Sequence, residues 1–197
     1  MHYQVTDHET HAAKVPHHTF NVNIIITHLF ISMIVLEIGD TLALLLVPAV
    51  SSLVILYLYK RKDSPSVRSS WFVTAHWTLA WRRGRILLFS YAIALAMVGV
   101  YWLVDLMFPG GLSMNNFSVD SNAQTNLGEI ITIRFAALVI FLAVLLTFMQ
   151  TGISVYDAGN GILHTDIEKL VPRDENSNPE IGVGDDEVQK PHTHKKE

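Results

Sequence analysis

The sequence predicts an all-α integral membrane protein, a four-helix transmembrane bundle made of one helical hairpin and two further spans. Three observations carry that reading. Half of the 197 residues are hydrophobic and only 16% are charged, with a mean hydropathy of +0.30; soluble domains carry about 25% charged residues. The apolar residues gather in three blocks between Val22 and Val155. Lys and Arg fall very unequally in the polar stretches between those blocks.

The first block, Ile24 to Tyr59, would as a single helix be about 54 Å long, nearly twice a hydrocarbon core of about 30 Å. Near its middle lies Leu36-Glu37-Ile38-Gly39-Asp40-Thr41. Gly39 suits the helix C′ position that needs positive φ, and Asp40 suits the N-cap of a new helix. A tight hairpin of two spans, about residues 22–38 and 41–59, is therefore expected. The alternative is one tilted span with an interfacial extension, giving three spans in all. It would leave Glu37 and Asp40 near mid-helix at a cost of several kcal/mol unless paired.

The second block, 86–108, is a conventional span ending at Pro109-Gly110-Gly111, and the third, 130–155, is long enough to span with tilt. Lys60, Arg61, Lys62, Arg68, Arg82, Arg83 and Arg85 all fall between the second and third spans, whereas residues 109–128 hold no Lys or Arg. The basic loop is thereby predicted to be cytoplasmic. Four spans place both termini on that same side; three would move only the N-terminus.

The ends are different material. Residues 1–19 form a polar segment with His2, His8, His11, His17 and His18, without the charged and apolar regions of a cleaved signal peptide. Residues 157–197 are acidic and expected to be largely disordered, because they offer too little apolar surface to offset chain entropy. Within them Ile162, Leu163, Ile167, Leu170 and Val171 form a short amphipathic pattern that fits either the membrane surface or the protein's own face.

In each span the small and polar residues form a stripe, as expected where a bundle interior must satisfy polar side chains away from lipid. The stripes are Asn21, His28 and Ser32; Thr41, Pro48, Ser52 and Tyr59; Ser90, Ala94, Met97, Tyr101 and Asp105; and Glu129, Thr132, Ala136, Ala143, Thr147, Gln150 and Ser154. They define a candidate intramembrane polar site of His28, Ser32, Tyr101, Asp105, Thr147 and Gln150, against the plainer reading of close-packing positions with modest hydrogen bonds. His28 is the sole histidine well inside a span, and a b-type haem would need a second axial His at matched depth. Glu37, Asp40, Asp105, Glu129 and Arg134 fall near the outer helix ends, where a solvated rim is the expected role.

Residues 69–85 read as a cytoplasmic interfacial segment. Trp71, Trp77 and Trp81 precede Arg82, Arg83 and Arg85, a pattern that sets indoles at headgroup level and guanidiniums toward anionic phosphates. Lipid headgroups are the expected partner there, with other membrane subunits or a second copy as protein partners.

Several chemistries are excluded. With no cysteine, disulfides, thiolate nucleophiles and Cys-held metals are impossible. A net charge of −4 argues against nucleic acid as a partner. No GxSxG elbow, P-loop or HExxH occurs, so no catalytic residue, cofactor or metal site is predicted, and the irregularly spaced terminal histidines, His192 and His194 included, define none.

The order of a His-led apolar hairpin from His28 to Gly39, then Tyr59-Lys60-Arg61-Lys62-Asp63-Ser64-Pro65, then Ala75-His76-Trp77 and Trp81-Arg82, resembles a broad family of small bacterial membrane proteins. That family includes the magnetosome proteins MamF and MmsF and many members of unknown function. The resemblance covers residues 28–85 and implies a four-helix inner-membrane fold with the basic loop inside; it transfers no catalytic residue. The expected function is a non-enzymatic accessory or scaffold subunit of a bacterial inner-membrane complex. The alternatives are a small transporter or channel for a proton, ion or small solute, and a haem- or quinone-associated redox subunit.

Overall fold

The computed structural model describes residues 1–38, 42–109, 113–115, 124–173 and 177–181. Four of its helices are long and apolar enough to cross a membrane. The first is a continuous rod of α1 (Asp7–Asn23), a π-helix (Ile24–Ile31) and α2 (Ser32–Ile38). A reciprocal capping box starts it: the Glu9 amide donates to Thr6 Oγ1 while the Thr6 amide donates to Glu9 Oε2. The change to π geometry begins at the Ile24-Ile25-Ile26-Thr27 run. There the Thr27 hydroxyl donates to the Asn23 carbonyl at 2.6 Å, competing for the acceptor that the Thr27 amide would use in an α-helix.

A 3₁₀ turn (Leu42–Leu45) leads into α3 (Leu46–Arg61), followed by the short α4 (Pro65–Arg68). Helix α5 (Trp71–Met107) is capped by Ser70, and its 37 residues make a rod of about 55 Å. Helix α6 (Leu127–Gly159) returns alongside it, and α7 (Thr165–Glu168) is the last helix among the described residues. Two small antiparallel pairs complete the described residues: β1 (His2–Tyr3) with β4 (Glu180–Ile181), and β2 (Ser113–Asn115) with β3 (Gln124–Asn126).

The first rod and α5 run in parallel, with His17 against His76 and His28 against Tyr91, while α3 and α6 run the other way. Asn23 meets Ser51 across the first two rods, so the chain folds back between them as a hairpin. The turn residues Gly39, Asp40 and Thr41 lie outside the described residues.

Two cores follow one another along the bundle. The first packs Phe20 and Ile24 from the first rod, Ile55 and Leu58 from α3, and Leu87 and Tyr91 from α5. Gly84 permits this approach: a Cβ there would sit 2.8 Å from Ile55 Cγ2 and 3.4 Å from Phe20 Cε2. The second core lies beyond the basic end of α3 and gathers Tyr3, Ala13, Trp71, Phe72, Leu163 and Ile167 into a cap. Burial gives these side chains about 1.5 to 3 kcal/mol each for the larger ones.

The cap corrects three expectations. Residues 1–19 hold strand β1 and, from Asp7 onward, the beginning of the first helix, with Ala13 and His17 completely buried. The C-terminal segment is folded as far as it is described: Leu163 and Ile167 are 1% exposed, β4 pairs with β1, and Gly161 takes φ +65 where its backbone meets Tyr3. Of the two placements open to the amphipathic pattern at 162–171, the structure takes the protein's own face. Residues 71–85 are not a separate interfacial segment but the first four turns of α5, packed between the first rod and α6.

Glu9 ties the cap together. Its carboxylate accepts from Ser70 Oγ at 2.6 Å and Asn178 Nδ2 at 3.1 Å, besides the Thr6 amide and hydroxyl. Asn178, at φ +43, also donates to the Gln4 carbonyl. Tyr3 donates to Glu168 at 2.7 Å and lies under the Arg173 guanidinium; burial first, then that hydrogen bond, pushes its phenol pKa up, so it remains a donor at physiological pH. Glu9→Ala is expected to weaken the cap by about 1 to 2 kcal/mol. Limited proteolysis that cuts residues 160–181 no faster in this variant would contradict that role.

Candidate functional site

Two buried polar clusters sit at different levels of the bundle. The deeper-set one lies where the cap meets the apolar band. His17 and His76 are both completely buried, with Nε2 of His17 3.0 Å from Nδ1 of His76 and the rings edge to face. One N–H is shared between the two nitrogens, so at least one imidazole is neutral. Nδ1 of His17 has no partner, and Nε2 of His76 faces the Ile162 backbone without closing a hydrogen bond. Arg83, about two turns further along α5, donates to the Gln150 carbonyl and to Ser154 Oγ at 2.6 Å, with buried Asp157 supplying counter-charge. The guanidinium thereby joins α5 to α6.

The second cluster lies in the middle of the apolar band. Asn23 Nδ2 donates to Ser51 Oγ at 2.9 Å, and Tyr91 Oη lies 2.6 Å from His28 Nε2. Asn23 is 4% exposed and its Oδ1 has no partner. The His28 and Tyr91 rings are nearly parallel, with centroids 5.8 Å apart. An amide nitrogen only donates, so Asn23 donates to Ser51, while the donor between Tyr91 and His28 is set by the imidazole tautomer.

The six residues predicted as one intramembrane polar site are not brought together. His28 is met by Tyr91, not Tyr101. The Ser32 hydroxyl turns back to the Thr27 carbonyl at 3.4 Å, and Thr147 donates to its own helix at the Ala143 carbonyl, 2.7 Å away. Gln150 serves through its backbone. Asp105 is exposed near the end of α5, and a shallow groove there is lined by Gly99, Tyr101, Trp102, Asp105 and Glu129. Glu37 and Arg134 are exposed as well. Asn23, Ser51 and Tyr91 are the partners that sequence reasoning missed. Ser51 and Tyr91 each stand next to a residue already on a stripe and Asn23 two residues from one, and only the helix register distinguishes them.

The headgroup set divides. Trp71 is 8% exposed and Trp77 4%, and the Trp71 indole donates to the Val171 carbonyl at 2.8 Å; both indoles serve the protein interior instead of a lipid surface. Arg83 points at α6. Arg82 and Arg85 are exposed, as are Lys60 and Arg61, and half-buried Trp81 packs on Tyr59 with centroids 4.6 Å apart. In the turn after α3, hydrogen bonds from Lys62 and Arg68 hold the Asp63 carboxyl below the usual range.

Among the described residues no group of three or more His, Asp or Glu is arranged to hold a metal ion. No family model, curated protein or solved structure matches this chain.

Proposed function

We propose that this chain is a non-enzymatic accessory or scaffold subunit of a bacterial inner-membrane complex, with both termini and the cap in the cytoplasm. The observation that supports this best is the use to which the polar groups are put. Asn23 bonds to Ser51 and His28 to Tyr91 across helices, and Arg83 clamps α5 to α6. Such pairing fixes the relative positions of the rods, which is what a scaffold requires. The rods also run unbroken from the cap into the apolar band, so a load on the cap is transmitted to the membrane-embedded faces. Exposed Lys60, Arg61, Arg82 and Arg85 ring the junction and suit anionic headgroups on the cytoplasmic leaflet. The resemblance of residues 28–85 to a family of small inner-membrane proteins points the same way.

The test is isolation of the tagged full chain in native lipid discs from cells grown without overexpression. A stoichiometric membrane assembly is the expected result. A lone monodisperse protein, together with unchanged migration of every co-encoded membrane complex after deletion, would end this reading. Proteoliposome flux that responds to changes at His28, Asp105 and Gln150 would favour the transport alternative instead.

A further inference from the structure

Four exposed cations stand where the cap meets the apolar band: Lys60 and Arg61 at the end of α3, Arg82 and Arg85 on α5. None of them forms an ion pair among the described residues. Between Thr41 and Val104 the sequence holds a single carboxylate, Asp63, and it is already engaged by Lys62 at 2.9 Å and by Arg68 at 3.0 Å. The four charges are therefore uncompensated by their own helices.

Helix register places two of the four in one seam. Gly84 of α5 faces Ile55 of α3. On α5, Trp81 and Arg85 lie about 60° and 100° round from Gly84, to the same side. On α3, Tyr59 and Lys60 lie about 40° and 140° round from Ile55. The Tyr59 and Trp81 rings meet with centroids 4.6 Å apart, so these are one side of the α3–α5 seam. Arg61 falls on the other side of α3, and Arg82 on the back of α5. Cα–Cβ bonds tilt toward the N-terminus of a helix, and α3 and α5 are antiparallel. Lys60 and Arg85 thus lean toward each other along the seam, from either side of the Tyr59–Trp81 pair. Toward the bilayer the same side continues with Leu56 and Phe89, 45% and 64% exposed.

We propose that the α3–α5 seam is a site for one anionic phospholipid, its phosphate held between Lys60 and Arg85, its glycerol region against Tyr59 and Trp81, and an acyl chain along Leu56 and Phe89. This deepens the headgroup reading given above and rests on its placement of the junction at the cytoplasmic leaflet. A zwitterionic head would bring an ammonium group beside the phosphate, and the one carboxylate near the seam is already doubly paired; selection is therefore for net negative charge. An acidic peptide would satisfy the two cations but leave the apolar track beneath them bare, which favours the lipid.

The probe is phosphatidylglycerol brominated near the glycerol end of its acyl chains, set against equally brominated phosphatidylcholine. Each is added at low mole fraction to phosphatidylcholine discs that hold the full chain as its Trp102→Phe variant. Trp71 and Trp77 are 8% and 4% exposed, so Trp81 is then the indole open to quenching. Quenching by the anionic lipid is expected at a mole fraction about twentyfold lower than by the zwitterionic one, the scale set by two basic side chains near the surface. Lys60→Gln and Arg85→Gln should each remove about fivefold of that preference. Arg61→Gln makes the same change of charge outside the seam and should leave the preference intact. All three positions are exposed, and size-exclusion profiles report that the variants are folded. Equal quenching by the two lipids would overturn the proposal. So would an equal loss in all three variants, which would make the attraction one of net charge without a site. Displacement of the lipid by inorganic phosphate at matched ionic strength would overturn it too, because the seam would then hold a free anion. A chain that purifies alone yet still selects the anionic lipid would end the scaffold role and support this site.

Discussion

Phe72→Ala is expected to melt the cap while leaving the apolar band of the bundle folded. Phe72 is completely buried in the first turn of α5 and lies in the cap core with Tyr3, Ala13, Leu163 and Ile167. Its ring contacts Tyr3, with centroids 6.5 Å apart, and His76 at 4.6 Å. Truncation removes that ring and leaves a cavity between the chain start, α5 and the C-terminal segment, at a cost of about 3 to 5 kcal/mol. The cap is small, so a loss of that size approaches all of its local stability. Hydrogen exchange is the direct measurement. Amides of residues 10–20, 72–80 and 160–170 should lose protection together, while those of 88–100 keep it. Retained protection in the cap would show that its stability comes from the bundle beneath it. Equal loss along all of α5 would show that cap and bundle unfold as one unit.

How far the sequence reveals this arrangement depends on contrast between neighbouring residues. In α6 the predicted stripe is also the observed one: Ala136, Ala143, Thr147 and Ser154 are buried between large exposed residues such as Phe135, Leu142 and Leu146. Small or polar groups on one face and Leu or Phe on the others leave a single register. In α3 the stripe of Pro48, Ser52 and Tyr59 is displaced by one residue from the buried face, which is Val47, Ser51, Ile55 and Leu58. Ser51 and Ser52 are adjacent and almost everything around them is aliphatic, so a rotation of about 100° changes little in the pattern. That rotation decides whether Ser51 reaches Asn23.

The cap was hidden for a different reason. Its first strand and helix bury Tyr3, Ala13, His17 and Phe20, a set without the repeated large aliphatics that announce a core. Its other half is Trp71, Phe72 and Trp77, which stand just before three arginines. That composition is shared by an interfacial helix and by a helix that emerges from the bilayer into a folded head. Only the partner surface tells them apart, and here it comes from both chain ends, some 90 residues away along the sequence in the case of Leu163.

Gly84→Leu is expected to separate α3 from the rest of the bundle. Gly84 faces Ile55 and Phe20, and even a Cβ would lie 2.8 Å from Ile55 Cγ2, inside any tolerated contact. Alanine can be met by a rotation of the Ile55 side chain, because the nearest atom is a terminal methyl; the expected cost is about 1 to 3 kcal/mol from overpacking. Leucine has no such escape. Ile55 and Phe20 are completely buried, Leu87 is packed one turn away on the same helix, and Phe20 closes the site from the first rod. Relief then requires α3 to move outward from α5. Ser51 is on the same face of α3, one turn from Ile55, so that movement stretches its bond to Asn23. The measurement is cysteine crosslinking between positions 51 and 23 in a chain with no native cysteine to interfere. Efficient crosslinking is expected in the parent and in Gly84→Ala, with a drop of about tenfold in Gly84→Leu. Undiminished crosslinking in the leucine variant would show that α3 is held in register by something other than close contact at Gly84.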